Sequence, residues 1–481
     1  MGASAPHGSP HRNKPHIPYK PIKPMNHLQS TLDLGTKPIG HLLWKYALPA
    51  IVAMLASSLY NMVDSIFIGQ GVGPIAISGL AITFPFMNLT GAFGAAIGVG
   101  SSTYLSVKLG QKDYLTAENI LGNTVMLNIY MGVVLSVVCL LLLDPILRFF
   151  GASDATLPYA RQYMVIILAG NVVTHTYLGL NAVLRAASKP RQAMNATIFT
   201  VVVNTILDPI FIYPWGLGLG ISGAAYATIL AQVLALCYQL RLLSDKRELI
   251  HFRRGTYRLH SQIVKSIISI GISPFSMNVC SCIIVIFINN QLVHYGGDLS
   301  VGAYGISNKI LFIFVMFVIG LNQGMQPIAG YNYGAQKFDR LMHVVKLTML
   351  SATAVMTVGW CLAIFMPRLC VRLFTTDATL ISISANALRI MCCMFPIVGY
   401  QMVVTNFFQC IGKVKVSIFL SLSRQLIFLL PMLWLLPHLF QLNGVWFSMP
   451  ASDLLASLVT AWIMARYMRK FMRQQQEKEI A

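Results

Sequence analysis

Along this chain apolar residues come in long continuous runs, and polar residues gather in short segments between them. VVLSVVCLLLL, which begins at Val133, is one such run. A helix needs about 20 apolar residues to cross the hydrocarbon of a bilayer. Runs of that length occur near residues 42–68, 76–107, 119–143, 162–184, 192–213, 221–240, 266–290, 300–333, 347–366, 380–411, 416–437 and 444–465. The pattern predicts an all-α integral membrane protein with twelve transmembrane helices. A transmembrane β-barrel would alternate apolar and polar positions instead.

Composition narrows this further. Of 481 residues, 56% are hydrophobic and only 10% charged, against about 25% charged in soluble domains. A soluble enzyme, a disordered chain, a collagen and a secreted disulfide scaffold are all excluded. The formal net charge of +20 would point to nucleic acid if it formed one patch, but it does not. Arg148, Arg161, Arg368, Arg372 and Arg389 fall on one side of the predicted spans, Lys309 and Arg424 fall inside them, and the other 28 of 35 basic residues fall on the opposite side. That asymmetry is the positive-inside rule, and it predicts two cytoplasmic termini and a bilayer partner rather than nucleic acid. The nine cysteines sit mostly in apolar runs with no CxxC pair, and read as small core residues. Residues 1–24 lack an apolar core segment, so they read as a disordered tail or an overextended start rather than a signal peptide.

The second half of the chain repeats the first at an offset of 221–225 residues. Pro49 falls on Pro274, Gly110 on Gly334, Asn181 on Asn406, Pro209 on Pro431 and Gly223 on Gly444. Two pseudo-symmetric six-helix lobes around a central cleft follow, related by an axis along the membrane normal. The expected divisions are a disordered tail over 1–38, an N-lobe over 39–243, a basic inter-lobe loop over 244–262, a C-lobe over 263–466 and a cytoplasmic tail over 467–481. The glycine-rich ends of spans two and eight match each other, and their Ser101, Ser102, Gln323 and Gln326 either line a water path or bond between helices.

Only Asp64, Asp208 and Asp453 among the acidic residues lie well inside predicted spans. A carboxylate at mid-bilayer costs at least about 2.5–3.5 kcal/mol on insertion scales, so each needs a reason. Asp64 and Asp208 lie at similar depth, roughly 6–8 Å below the outer ends of spans one and five. Asn61 and Asn204 share their helical faces at i,i+3 and i,i+4 spacing. Pro209 cannot donate to the Thr205 carbonyl, so it frees an acceptor and favours a hinge beside Asp208. Carboxylates, amide oxygens and freed carbonyls suit a hard cation such as Na+, and two carboxyl groups in one dry site can equally share a proton. In the second copy Asn289 replaces Asp64, and Leu430 and Pro431 replace Asp208 and Pro209, so the ion site belongs to the first half. Asp453, Lys309, Arg424 and His175 read as structural, with a proton relay as the alternative for His175 and an anionic substrate contact for the two cations.

The stretches LPAIVAMLASSLYNMVDSIFIG, NTILDPIFIY, GLGISGAAYAT and QGMQPIAGYNYGAQK resemble the multidrug and toxic compound extrusion (MATE) family of cation-coupled efflux transporters. The resemblance runs from about Thr36 to Arg473. It implies a cation site in the N-lobe at Asp64, Asn204, Asp208 and Thr228, with Na+ or H+ as coupling ion and no cofactor. Other branches of that family use acidic residues in spans seven and ten. Here those spans offer Asn278 and Asn289, and Gln401 and Asn406. With Asn61, Asn181, Gln323 and Gln326 these amides form the candidate substrate cleft.

The expected activity is therefore export of amphipathic, cationic small molecules in exchange for H+ or Na+, by a monomer in the cytoplasmic membrane. A flippase for a lipid-linked saccharide is the alternative, favoured by Lys309 and Arg424 and opposed by the paired acids. A membrane-embedded transferase would need DDxxD, HExxH or a histidine-rich site, and the chain has none.

Overall fold

The computed structural model describes residues 25–253 and 255–480, and the segment 1–24 lies outside the described residues. Five spans are single helices: α2 (Ile39–Gly71), α3 (Pro74–Gly110), α4 (Tyr114–Leu141), α8 (Pro190–Ile212) and α9 (Ile221–Leu243). The short helices α1 (Met25–Leu32) and α5 (Leu143–Phe149) flank them. Span four is a broken pair, α6 (Leu157–Ala169) and α7 (Asn171–Ala186), bent by 57°. In the second half α10 (Ser261–Gly334) holds two spans separated at Gly297, and α11 (Phe338–Phe365) holds one. After the short α12 (Pro367–Arg372), span ten is the pair α13 (Ala378–Met391) and α14 (Phe395–Cys410), bent by 54°. α15 (Val414–Leu422), a π-helical turn over Ser423–Leu429 and α16 (Leu430–Ile480) supply the last two spans, which part at Gln441. With each bent pair taken as one span, twelve transmembrane helices are present among the described residues, six in each lobe.

Backbone breaks recur at matching places in the two lobes. Left-handed residues stand at Gly73 and Gly297, Lys112 and Gln336, Ser188 and Gly412, and Gly220 and Gln441. Lys112, Ser188, Gln336 and Gly412 each stand two residues past a helix end, where a left-handed residue satisfies terminal carbonyls and stops propagation, so the repeat matches these breaks as well as the apolar content.

Several segments differ from the expectation. Residues 25–35 form α1 and a 3-10 turn, with Asp33 and Leu34 buried. The segment packs because Asn332, Lys337 and Arg340 of the C-lobe donate to its carbonyls. The inter-lobe loop is pinned to the N-lobe: Glu118 pairs with Arg253 at 3.2 Å and Lys189 with Glu248 at 3.0 Å. Asn123 also bonds the backbone of Thr256, Arg258 and His260. Beyond residue 466 the chain continues α16 as a helix, with Phe471 buried against Phe338. Of the cysteines, Cys139, Cys280, Cys392 and Cys410 are buried, whereas Cys237 and Cys393 are exposed.

The end of the molecule that carries these basic loops, called the basic end below, is where the lobes close on each other. A Cβ on Gly110 would stand 2.0 Å from the Tyr331 carbonyl oxygen, and one on Gly334 would stand 2.1 Å from that of Val107. Farther in, Gln326 of α10 donates to Ser102 and Thr103 of α3, both at 2.8 Å. Of the span-two and span-eight polar residues, Ser102, Gln323 and Gln326 therefore serve contacts between the lobes, while Ser101 Oγ is buried without a partner. Phe93 and Phe275 meet across the lobes with ring centroids 4.5 Å apart and planes tilted by 51°. Beyond them, toward the other end, Gly91 and Gly305 face open space.

Candidate functional site

The N-lobe interior holds one compact polar cluster, built by four helices. α2 supplies Tyr60 and Asp64, one helical turn apart, and α8 supplies Asn204 and Asp208 at the same spacing. α9 adds Thr228, and α6 adds Tyr163. Asn204 Nδ2 donates to Asp208 Oδ1 at 3.1 Å and to Thr228 Oγ1 at 3.3 Å. The Tyr60 hydroxyl lies 3.0 Å from Thr228 Oγ1. Tyr163 faces the same threonine, and the Asp64 and Asp208 carboxyl groups face each other. Asp208 is fully buried and Asp64 is 5% exposed.

The donor count in this cluster falls short of the acceptor count. Asp64 Oδ1, Asn204 Oδ1 and Asp208 Oδ2 are buried without a hydrogen-bond partner. Buried acceptors of that kind are costly unless a proton or cation satisfies them. An all-oxygen set of two carboxyls, an amide oxygen and a hydroxyl fits a hard monovalent cation by ligand type.

Sequence reasoning selected Asp64, Asn204, Asp208 and Thr228, and the fold brings these four together. It missed Tyr60 and Tyr163. Tyr60 carried a signal, its i,i+4 spacing to Asp64, but Tyr163 sits in a different span with no spacing to reveal it. Pro209 lies in the last turn of α8, which stays helical to Ile212. The following turn folds back on that end, Leu217 N–H donating to the Ile210 carbonyl at 2.8 Å and Leu219 N–H to that of Phe211 at 2.9 Å. A movement at Pro209 would thus carry the end of the helix and this turn. In the C-lobe, the helix before Pro431 relaxes as a π turn, where Leu430 N–H reaches the Gln425 carbonyl.

The proposed cleft amides are more scattered. The Asn61 side chain lies outside the described residues. Asn181 is spent within its lobe, donating to the Ala193 carbonyl and to Thr197 and accepting from Arg185. Asn406 accepts from Cys410, and Gln326 bridges the lobes as above. Asn278 is exposed and donates to the Pro274 carbonyl. Asn289, Gln323 and Gln401 each keep a buried side-chain oxygen without a partner, and Gln323 reaches Met54 Sδ of the other lobe at 3.5 Å.

The remaining intramembrane polar residues divide in the same way. Arg424 Nε donates to Asp453 Oδ1 at 2.7 Å, an ion pair between spans eleven and twelve. Neither residue shows its partner in the sequence, since they lie in different helices. His175 is buried, with Nε2 at 3.1 Å from the Thr90 carbonyl oxygen. Lys309 is exposed.

The chain is similar along most of its length to known transporters. It is 26% identical over 418 residues to the multidrug export protein MepA of Staphylococcus haemolyticus, covering 87% of this chain and 91% of that protein. It is 25% identical over 426 residues to the MepA of Staphylococcus aureus, covering 89% and 93%. Among solved structures, an outward-facing multidrug resistance MATE family transporter of the MOP superfamily superposes with a TM-score of 0.86. That match has 23% identity and covers 94% of this chain and 99% of the other. A MOP superfamily transporter from Pyrococcus furiosus, described as having a binding pocket of reverse polarity, superposes equally with a TM-score of 0.86, again at 23% identity and over 94% of this chain. The MatE family profile matches residues 49–210 and 270–435, one segment in each lobe. With its twelve helices and two repeated lobes, this chain belongs to the MatE family of multi-pass membrane transporters and is not an enzyme.

Proposed function

We propose that this protein is a multidrug exporter that expels amphipathic, cationic small molecules in exchange for H+ or Na+ by alternating access. The observation that carries the reading is the buried N-lobe cluster, in which two carboxyl groups meet among three unpartnered oxygens. Two carboxyl groups facing each other in a dry site can share one proton, and a second proton or one Na+ would satisfy the oxygens that remain. The names of the relatives, both multidrug export proteins, support drug export.

In this mechanism the basic end faces the cytoplasm, as the charge asymmetry implies, and the lobes closed there make an outward-open state. The coupling ion enters from the open side, breaks the Asp64 to Asp208 contact, and repacks the ends of α2 and α8 around Pro209. The drug then leaves because its affinity for the ion-loaded state is lower. Coupling demands that drug and ion each bind one conformation differentially, and their mutual effects are then reciprocal. One chain contains both lobes, which supports action as a monomer. The saccharide flippase reading loses support from the Arg424 to Asp453 pair, because that cation is already neutralised within the C-lobe.

The test is efflux of a fluorescent organic cation from proteoliposomes, driven separately by a pH gradient and a Na+ gradient. Efflux driven by either gradient alone supports antiport and identifies the ion. No response to either gradient would sink it.

A further inference from the structure

At the basic end, α15 and the second span of α16 run antiparallel and leave a groove of about 620 Å³ lined by Lys415, Phe419, Trp462, Arg466, Tyr467 and Lys470, with Val416 and Ile463 at its base. The lining is layered. Lys415 and Phe419 are one turn apart on α15, and Trp462, Arg466 and Lys470 follow at successive turns on α16. Because the two helices run in opposite directions, the cations of both lie toward the loop and the aromatics of both lie about 6 Å deeper.

The charge in this groove is of one sign. No ion pair joins a described carboxylate to Lys415, Arg466 or Lys470, although basic residues elsewhere at this end, such as Lys189 and Arg253, are paired. Arg466 stands over the Trp462 ring at 5.8 Å, which holds the guanidinium at the rim. Trp462 is 64% exposed and Phe419 is 47% exposed, so the deeper wall is apolar and uncovered. Trp and Tyr at this level are residues of the membrane interface.

We propose that the groove binds one anionic phospholipid of the leaflet at the basic end, its phosphate held by Lys415, Arg466 and Lys470 and an acyl chain lying along Phe419 and Trp462. Both halves of the lining are needed for this choice. A free phosphate would use the cations and leave the aromatic wall bare, and a neutral lipid would use the wall and leave the cations unpaired. Since α16 also carries Asp453, the partner of Arg424, the lipid would bind the same helix that ties the C-lobe together.

The test is native mass spectrometry of the full-length protein in mild detergent with added phosphatidylglycerol or phosphatidylcholine. Wild type is expected to retain phosphatidylglycerol selectively. The triple variant Lys415→Gln, Arg466→Gln, Lys470→Gln should lose that retention by on the order of a hundredfold, roughly fivefold per cation. A control that removes equal charge at the same end, Lys112→Gln, Lys246→Gln, Lys346→Gln, should retain lipid as wild type does. The double variant Phe419→Ala, Trp462→Ala should weaken retention with all cations in place.

Four results would overturn the proposal. They are unchanged retention in the triple variant, equal loss in the control, displacement of the lipid by millimolar inorganic phosphate, and retention that appears only after removal of residues 474–481. The last would make the acidic C-terminal segment the occupant.

Discussion

Gly110 and Gly334 hold the same position in the two lobes and meet at the basic end, each pressed against a carbonyl oxygen of the other's helix. Neither position has room for a methyl group without moving backbone. The contact closes one side of the molecule by direct helix-to-helix approach, which small residues allow in membranes.

If that contact holds the closed end shut, Gly110→Ala and Gly334→Ala should each favour the state open at the basic end. A bias of about 1.4 kcal/mol changes the population ratio tenfold. Distances between spin labels placed across the basic end should lengthen in both variants. Distributions identical to wild type would mean that the glycines only fill space.

The segment Asp33–Lys37 should act in the same direction. Its carbonyls take bonds from Asn332, Lys337 and Arg340 of the other lobe, so Arg340→Ala is expected to open the basic end partially without loss of expression. The same spin-label pair tests it, and an unchanged distance counts against the role.

Tyr163 offers a test of the ion cluster that leaves its carboxyl groups intact. Tyr163→Phe removes a hydroxyl that faces Thr228, Asp64 and Asp208, and the loss of one neutral hydrogen bond costs about 0.5–1.5 kcal/mol. The ion concentration for half-maximal transport should rise roughly two- to tenfold, with maximal rate preserved. The expected change is in ion dependence, so equal loss at saturating ion would assign Tyr163 to packing.

For the C-lobe, Asp453→Asn should cost about 1–3 kcal/mol by leaving Arg424 without its carboxylate. Thermal unfolding in detergent reads this directly. An unchanged transition would place the pair outside the stability of the fold.

Much of the architecture was legible because a bilayer enforces it: runs of apolar residues, basic loops and repeated anchors such as Pro49 and Pro274 admit few other arrangements. The breaks in spans four and ten were not legible. Apolar content continues across Gly170 and across Cys392–Met394, so hydropathy sees one span where the backbone bends by more than 50°. The candidate site was half legible. Asp64 and Asp208 declare themselves because buried acids are expensive, and helical spacing adds Asn204. Tyr163 and the Arg424 to Asp453 pair depend on contacts between helices, which no spacing along one helix reports. Residues 33–37 read as tail because their burial comes from side chains some 300 positions away.

Pro209 and Pro431 separate hinge from packing. Pro209 lies in the last turn of α8 beside Asp208, whereas Pro431 follows the π turn that carries Arg424 and has Leu430 in the place of Asp208. Pro209→Ala should slow exchange while drug still binds, and Pro431→Ala should leave turnover closer to wild type. Equal turnover in both variants and wild type would end the hinge assignment.

An ion site in the N-lobe is tested most directly by gradient-driven efflux with Asp64→Asn and Asp208→Asn in proteoliposomes, at matched protein and with correct insertion verified. Both substitutions keep side-chain shape and remove the charge that burial penalises, so the variants should stay folded. Each variant should abolish ion-driven efflux, and Asn289→Asp should not restore it to Asp64→Asn, because that position lies in the other lobe without Asn204 and Asp208 as partners. Wild-type transport by both single variants, or rescue by Asn289→Asp, would contradict an ion site in the N-lobe.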